Sequence, residues 1–95
     1  MRDYELVFII GPEVIEENII TVTDRVSGWI TAGAGEVTNV NVWGRRRLAY
    51  PIRDNREGTY ATLQFRMAPQ ATGELERSIK LAEDILRYLL VRMGE

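Results

Sequence analysis

Apolar positions along this chain switch between a period of two and a period of about 3.6, and the switches predict an ordered set of strands and helices. Arg2–Ile10 is rich in aromatic and β-branched residues and stops at Gly11-Pro12, the composition of a strand closed by a turn. Tyr4, Leu6, Phe8 and Ile10 fall on one face and Val7 and Ile9 on the other, so both faces are apolar and the strand is expected to be central. Pro12 suits the first turn of a helix, and Glu13, Glu16 and Glu17 complement the positive end of its dipole. Ile15, Ile19, Val22, Val26, Trp29 and Ile30 follow at helical spacing, and the stripe ends near Gly33. Burying such a stripe contributes roughly 1.5 to 3 kcal/mol per large side chain, which outweighs the weak helix propensity of its β-branched members.

From Glu36 to Ile52 the chain reads as one long strand without a consistent period. Val37 and Val40 are an odd number apart, which predicts a bulge, and Gly44 is a candidate for a second irregularity. Asp54–Gly58 carries turn chemistry, and Thr59–Met67 alternates Ala61, Leu63, Phe65 and Met67 against Tyr60, Thr62, Gln64 and Arg66. A hairpin is therefore expected. Pro69 opens a shorter helix in which Ala71, Leu75, Ile79 and Ala82 share a face despite Gly73, a residue costing about 1 kcal/mol in a helix interior. Ile85–Met93 forms a last strand, with Tyr88 and Leu90 on one side and Arg87, Leu89 and Val91 on the other. The order β-α-β-β-α-β predicts an α+β fold of the split βαβ (ferredoxin-like) kind, over residues 1–95 as one domain. Right-handed crossovers would place both helices on one face of a four-stranded antiparallel sheet and leave the other face open.

Charge changes the picture more than composition does. The formal net charge is −2, yet residues 44–66 hold six arginines against Asp54 and Glu57, a local balance of +4. Eleven of the twelve cations are arginine, whose planar fork suits bidentate contact with phosphate. The chain lacks cysteine and histidine, which removes disulfides, thiol nucleophiles, the commonest general base and the usual zinc ligands. No cofactor is expected. The apolar run after Met1-Arg2-Asp3-Tyr4 is too short for a secretion signal, no stretch reaches the length of a membrane span, and a soluble cytoplasmic location is the expectation.

Trp43–Ile52, WGRRRLAYPI, resembles the long second strand of the sixth protein of the bacterial small ribosomal subunit. The resemblance covers essentially the whole chain, from the opening MRDYEL and the Gly-Pro turn to REGTY and the final LERSIKLAEDILRYLLVRM. It implies a split βαβ protein without catalytic role that binds 16S ribosomal RNA, pairs with the eighteenth small-subunit protein, and acts on no membrane or small-molecule substrate. By motif position it implies contacts with the RNA or the partner protein at Arg2, Tyr4, Arg46, Arg47, Tyr50 and Arg87; with Arg45 from the same run, the arginines and Tyr4 are expected on the RNA and Tyr50 at the partner-protein interface. The paired apolar positions Val14-Ile15 and Ile19-Ile20 depart from the family, which is more often acidic and polar there.

Each feature has a plainer reading. Arg45, Arg46 and Arg47 alternate across a strand, so they form either a phosphate clamp spread over an edge or a charged guard against edge-to-edge pairing. Val7, Ile9, Leu89 and Val91 would share the open face, where an aliphatic patch favours a protein partner over stacked bases; self-association or cover by the termini is the alternative. Tyr60 is placed on that face, Trp43 beside the arginines is open to partner contact or to local packing, and Trp29 is expected in the core. A ferredoxin-like regulatory module that binds another protein or a small molecule is the competing class, but no Gly-rich loop or polar cluster furnishes a ligand pocket. An acylphosphatase-type enzyme would need a phosphate-cradling loop after the first strand, where Gly11-Pro12-Glu13 is short and acidic.

Overall fold

The computed structural model describes residues 1–94; Glu95, within the expected domain range, lies outside the described residues. The chain runs β1 (Arg2–Ile10), α1 (Glu16–Ala32), β2 (Glu36–Ile52), β3 (Asn55–Met67), a 3-10 turn at Pro69–Ala71, α2 (Thr72–Leu81) and β4 (Ile85–Arg92). Its strands form one antiparallel sheet in the order β2-β3-β1-β4. The doubly apolar β1 is therefore central, as its pattern requires. Both helices pack on one face: Ile19, Val22, Val26 and Ile30 of α1 and Leu75 and Ile79 of α2 meet Leu6, Phe8, Ile10, Leu63, Phe65 and Met67 of the sheet. Trp29 packs half-buried against this core, with the Arg25 guanidinium 5.5 Å from its ring centre.

Local details depart from the sequence reading in two places, the start of α1 and the hairpin turn. Pro12 does not start the helix; the Val14 N–H donates to the Gly11 carbonyl in a turn that redirects the chain out of β1, and α1 begins at Glu16. At its other end α1 stops at Ala32 with Gly33 as its C-cap, as expected, and the left-handed residue that follows is Ala34, with φ 64°. The hairpin turn is Arg53-Asp54, both left-handed at φ 49° and 66°, with Ile52 opposite Asn55, so it lies ahead of the expected Asp54–Gly58. Two adjacent left-handed residues match the right-handed twist of the flanking strands, and the Asn55 side-chain amide ties the turn by donating to the carbonyls of Ile52 and Arg53. Gly58 consequently belongs to β3.

The pairing of β2 with β3 shifts register between Val37 and Asn39 and again between Val42 and Gly44, where Gly44 supplies the positive φ of 100°. Directly paired residues share a face, so these shifts set the arginines. Arg45, opposite Thr59, and Arg47, opposite Glu57, lie on the helix side; Arg46, opposite Gly58, lies on the open face with Leu48.

Candidate functional site

Beyond Arg47 the regular pairing of β2 with β3 lapses until the turn, and this arm of the hairpin bends over the open face of the sheet. Leu48 packs on Ile9 and Leu86, with Ile52 and Tyr60 against them, making a second small core on the side away from the helices. Gly58 permits this approach, because a Cβ there would stand 2.5 Å from Ile9 Cγ2 and 3.0 Å from the Ile10 carbonyl oxygen. Two contacts reach the far edge of the sheet. Arg87 Nη1 of β4 donates to the Tyr50 hydroxyl at 2.6 Å with its guanidinium 5.8 Å from the ring centre, and Arg53 Nη1 donates to the Glu83 carbonyl at 3.4 Å. Between arm and sheet lies a cleft of about 200 Å³.

The rest of the open face stays bare. Leu89 is 61% and Val91 37% exposed, and Val7 between Thr62 and Leu89 is half-buried. Trp43, the extra residue of the second bulge, lies over β3 with its indole N–H donating to Thr62 Oγ1 at 3.4 Å and its ring stacked on Tyr60 at 6.4 Å. Half of its surface remains accessible.

Several expected site residues fall elsewhere. Tyr4 is a core side chain, its ring stacked on Phe65 at 5.6 Å beneath the helices and not on the open face; its parity with Leu6 and Phe8 decides this. Ile9, expected as exposed, is covered by Leu48 and Leu86. Arg45 turns toward the helix side, donating to the Pro12 carbonyl at 3.2 Å and pairing with Glu57 at 3.4 Å. Arg2 stands at the opposite end of β1 from Arg87, roughly 23 Å away along the strand at about 3.3 Å per residue. Arg46, Arg87, Tyr50, Tyr60 and Trp43 are brought together at one end of the open face, with Val7, Leu89 and Val91 continuing the surface along it.

Arg53 and Arg56 belong to the same end but were not singled out from the sequence. Arg53 sits in the hairpin turn and Arg56 at the start of β3, and Arg56 and Arg46 are exposed with no ion pair among the described residues. The signal was the local charge of residues 44–66, which counts them; assigning Asp54–Gly58 to the turn hid it. Among the described residues no cluster of His, Cys, Asp or Glu could hold a metal ion, and no helix is long and apolar enough to cross a membrane.

A split βαβ sheet with one helix-free face, an aliphatic patch on that face and a cluster of arginines at its end defines a small protein that works by presenting surfaces. The comparisons narrow this class. The family model for Ribosomal protein S6 matches residues 3–92, and the chain belongs to that family. It is similar to the small ribosomal subunit proteins bS6 of Desulforamulus reducens, 41% identical with all of both chains covered, and of Moorella thermoacetica, 41% identical over all of this chain and 97% of the other. The crystal structure of 30S ribosomal protein S6 from Thermotoga maritima superposes with a TM-score of 0.91 at 34% identity, covering 97% of this chain and 87% of that one. The chain is a structural ribosomal protein and not an enzyme.

Proposed function

We propose that this protein binds 16S ribosomal RNA together with the eighteenth small-subunit protein, within the small subunit of the cytoplasmic ribosome. The observation that carries the reading is the division of the open face into two chemistries. Its hairpin end presents Arg46, Arg56 and Arg87 around the exposed rings of Trp43 and Tyr50, a surface suited to phosphate and to the edges of a folded RNA. Its opposite end presents Leu89, Val91 and Val7, aliphatic groups that gain by meeting another protein. Because the whole chain is acidic, a cationic partner offsets the long-range repulsion that a lone arginine cluster would meet on approaching RNA.

The test is filter binding of a 16S fragment by the protein alone and with the partner, across a salt series. Weak binding alone and tighter binding with the partner is expected; equal affinity in both arms refutes the cooperative reading. Each arginine that neutralises a phosphate adds somewhat under one unit to the salt slope, about 0.9 on a duplex and 0.7 on a single strand. Arg46→Ala should lose that increment, whereas Arg47→Ala, facing the helix side beside Glu57, should stay close to wild type. Arg46→Lys should recover only part of the affinity, since the charge returns without the fork.

A further inference from the structure

β2 is an edge strand, so alternate residues along it turn backbone N–H and C=O groups outward with no neighbouring strand. Natural edges are usually guarded by charge or proline. Here residues 37–44 hold neither, and the straight segment between the two bulges is Asn39-Val40-Asn41-Val42. On the helix side of this segment Val40 and Val42 are 46% and 41% exposed, and Ile20 of α1 beside them is 66% exposed. Val42, Ile20, Ile19 and Val14, together with the charged Glu16 and Arg45, line a groove of about 460 Å³ between α1 and the edge. A largely aliphatic groove beside an unpaired strand segment without charge has the two parts that strand addition requires: a backbone to pair with and a place for alternate side chains.

We propose that this edge pairs with the same edge of a second copy of the chain, antiparallel about a two-fold axis at Asn41. The choice of occupant rests on complementarity within the strand itself. Paired residues must share a face, and with Asn41 opposite its own copy Val40 stands opposite Val42 twice, on the helix side. When each bulge is counted as one position, Glu36 stands opposite Arg46 twice, on the open face, and neither has an ion pair within the chain among the described residues. The two-fold also sets both copies of α1 on one side of the continuous sheet, where the two Ile20 side chains flank the joined valines. The bulges confine regular pairing to a few residues, so the dimer is weak. Arg46 serves both this contact and the proposed RNA contact, so RNA binding and self-pairing compete; the pairing argument itself does not depend on the RNA reading.

Sedimentation equilibrium of the purified chain over about 10 μM to 1 mM tests it, a range suited to weak association. A rising dimer fraction is expected, with the outward-facing, alternate amides among residues 39–42 becoming protected from exchange as concentration rises. Val40→Asp should weaken association at least about tenfold while circular dichroism stays native, because the side chain is exposed in the single copy. Glu36→Arg should weaken it through like charges facing Arg46, and Glu36→Arg combined with Arg46→Glu should restore it. A monomer at every concentration, a dimer indifferent to Val40→Asp, or protection on β4 in place of β2 would each overturn the proposal, and failure of the charge exchange to restore pairing would overturn the register.

Discussion

Gly58→Ala tests whether the arm's position, and with it the arginine end of the open face, is set by one close approach. The new methyl would meet Ile9 Cγ2 at 2.5 Å and the Ile10 carbonyl oxygen at 3.0 Å, with Leu48 Cδ2 at 3.9 Å. Ile9 cannot simply rotate away, because Leu48 and Leu86 enclose it and only 8% of its surface is accessible. Overpacking of this kind costs about 1–3 kcal/mol, against which removing a glycine from the unfolded chain returns about 0.4–1 kcal/mol, so a net loss of about 1–2 kcal/mol is expected. For a chain of this length each kcal/mol moves the melting temperature by about 4–8 °C, which places the variant roughly 4–15 °C below wild type. Gly28→Ala is the matched control: it is exposed in mid-helix with nothing within 4 Å of the added Cβ, and should raise stability by about 0.5–1 kcal/mol. Thermal melts give the two signs, and amide and ring resonances of Tyr50 and Arg87 report whether the arm lifts. If Gly58→Ala melts at or above the wild-type temperature with the Tyr50 and Arg87 signals unmoved, the arm is not held by this contact.

Leu89→Asp should leave the isolated protein folded, since most of that side chain already meets water, and should abolish binding of the partner protein by leaving a charge desolvated in the complex. Loss of the native circular dichroism spectrum would instead return Leu89 to the core. Tyr88 is pushed up to about 12 by burial first and by its hydrogen bond to Glu76 at 2.7 Å and that carboxylate's charge second. An acid whose folded pKa lies above its unfolded value near 10 binds its proton longer in the native state, so its contribution is intact below about pH 10 and is lost as pH rises toward about 12. Urea melts of wild type and Tyr88→Phe at pH 8 to 12 should diverge in slope over that window; parallel curves would remove Tyr88 as the cause.

The elements and their faces were legible in the sequence because they rest on short-range periodicity. β1 had to be central once Tyr4, Leu6, Phe8 and Ile10 on one side and Val7 and Ile9 on the other were all apolar, and the α1 stripe from Ile19 to Ile30 had one stable place to go. The bulge near Val37 announced itself as a broken period. The +4 region was visible too, because charge needs no fold to be counted.

What only the tertiary structure decided is which of those faces remain open and which arginines remain unpaired. Tyr4 shared a motif with Arg2 along the chain, but the helices cover its side of the sheet. Ile9 shared a face with Val7, but an arm that starts nearly forty residues later folds over it. Arg45, Arg46 and Arg47 are chemically identical and adjacent; the bulge at Trp43 sends Arg45 to the Pro12 carbonyl and leaves Arg46 on the open face. The turn at Arg53-Asp54 lacks the glycine that usually marks two left-handed residues, so the sequence pointed to the Gly58 that the structure uses for a close contact instead. For Tyr4 and Ile9 the physical reason is the same, while a bulge and a turn are local choices of backbone that leave no period to read. Periodicity fixes the direction of a side chain relative to its own backbone, whereas exposure depends on what a distant part of the chain brings above it.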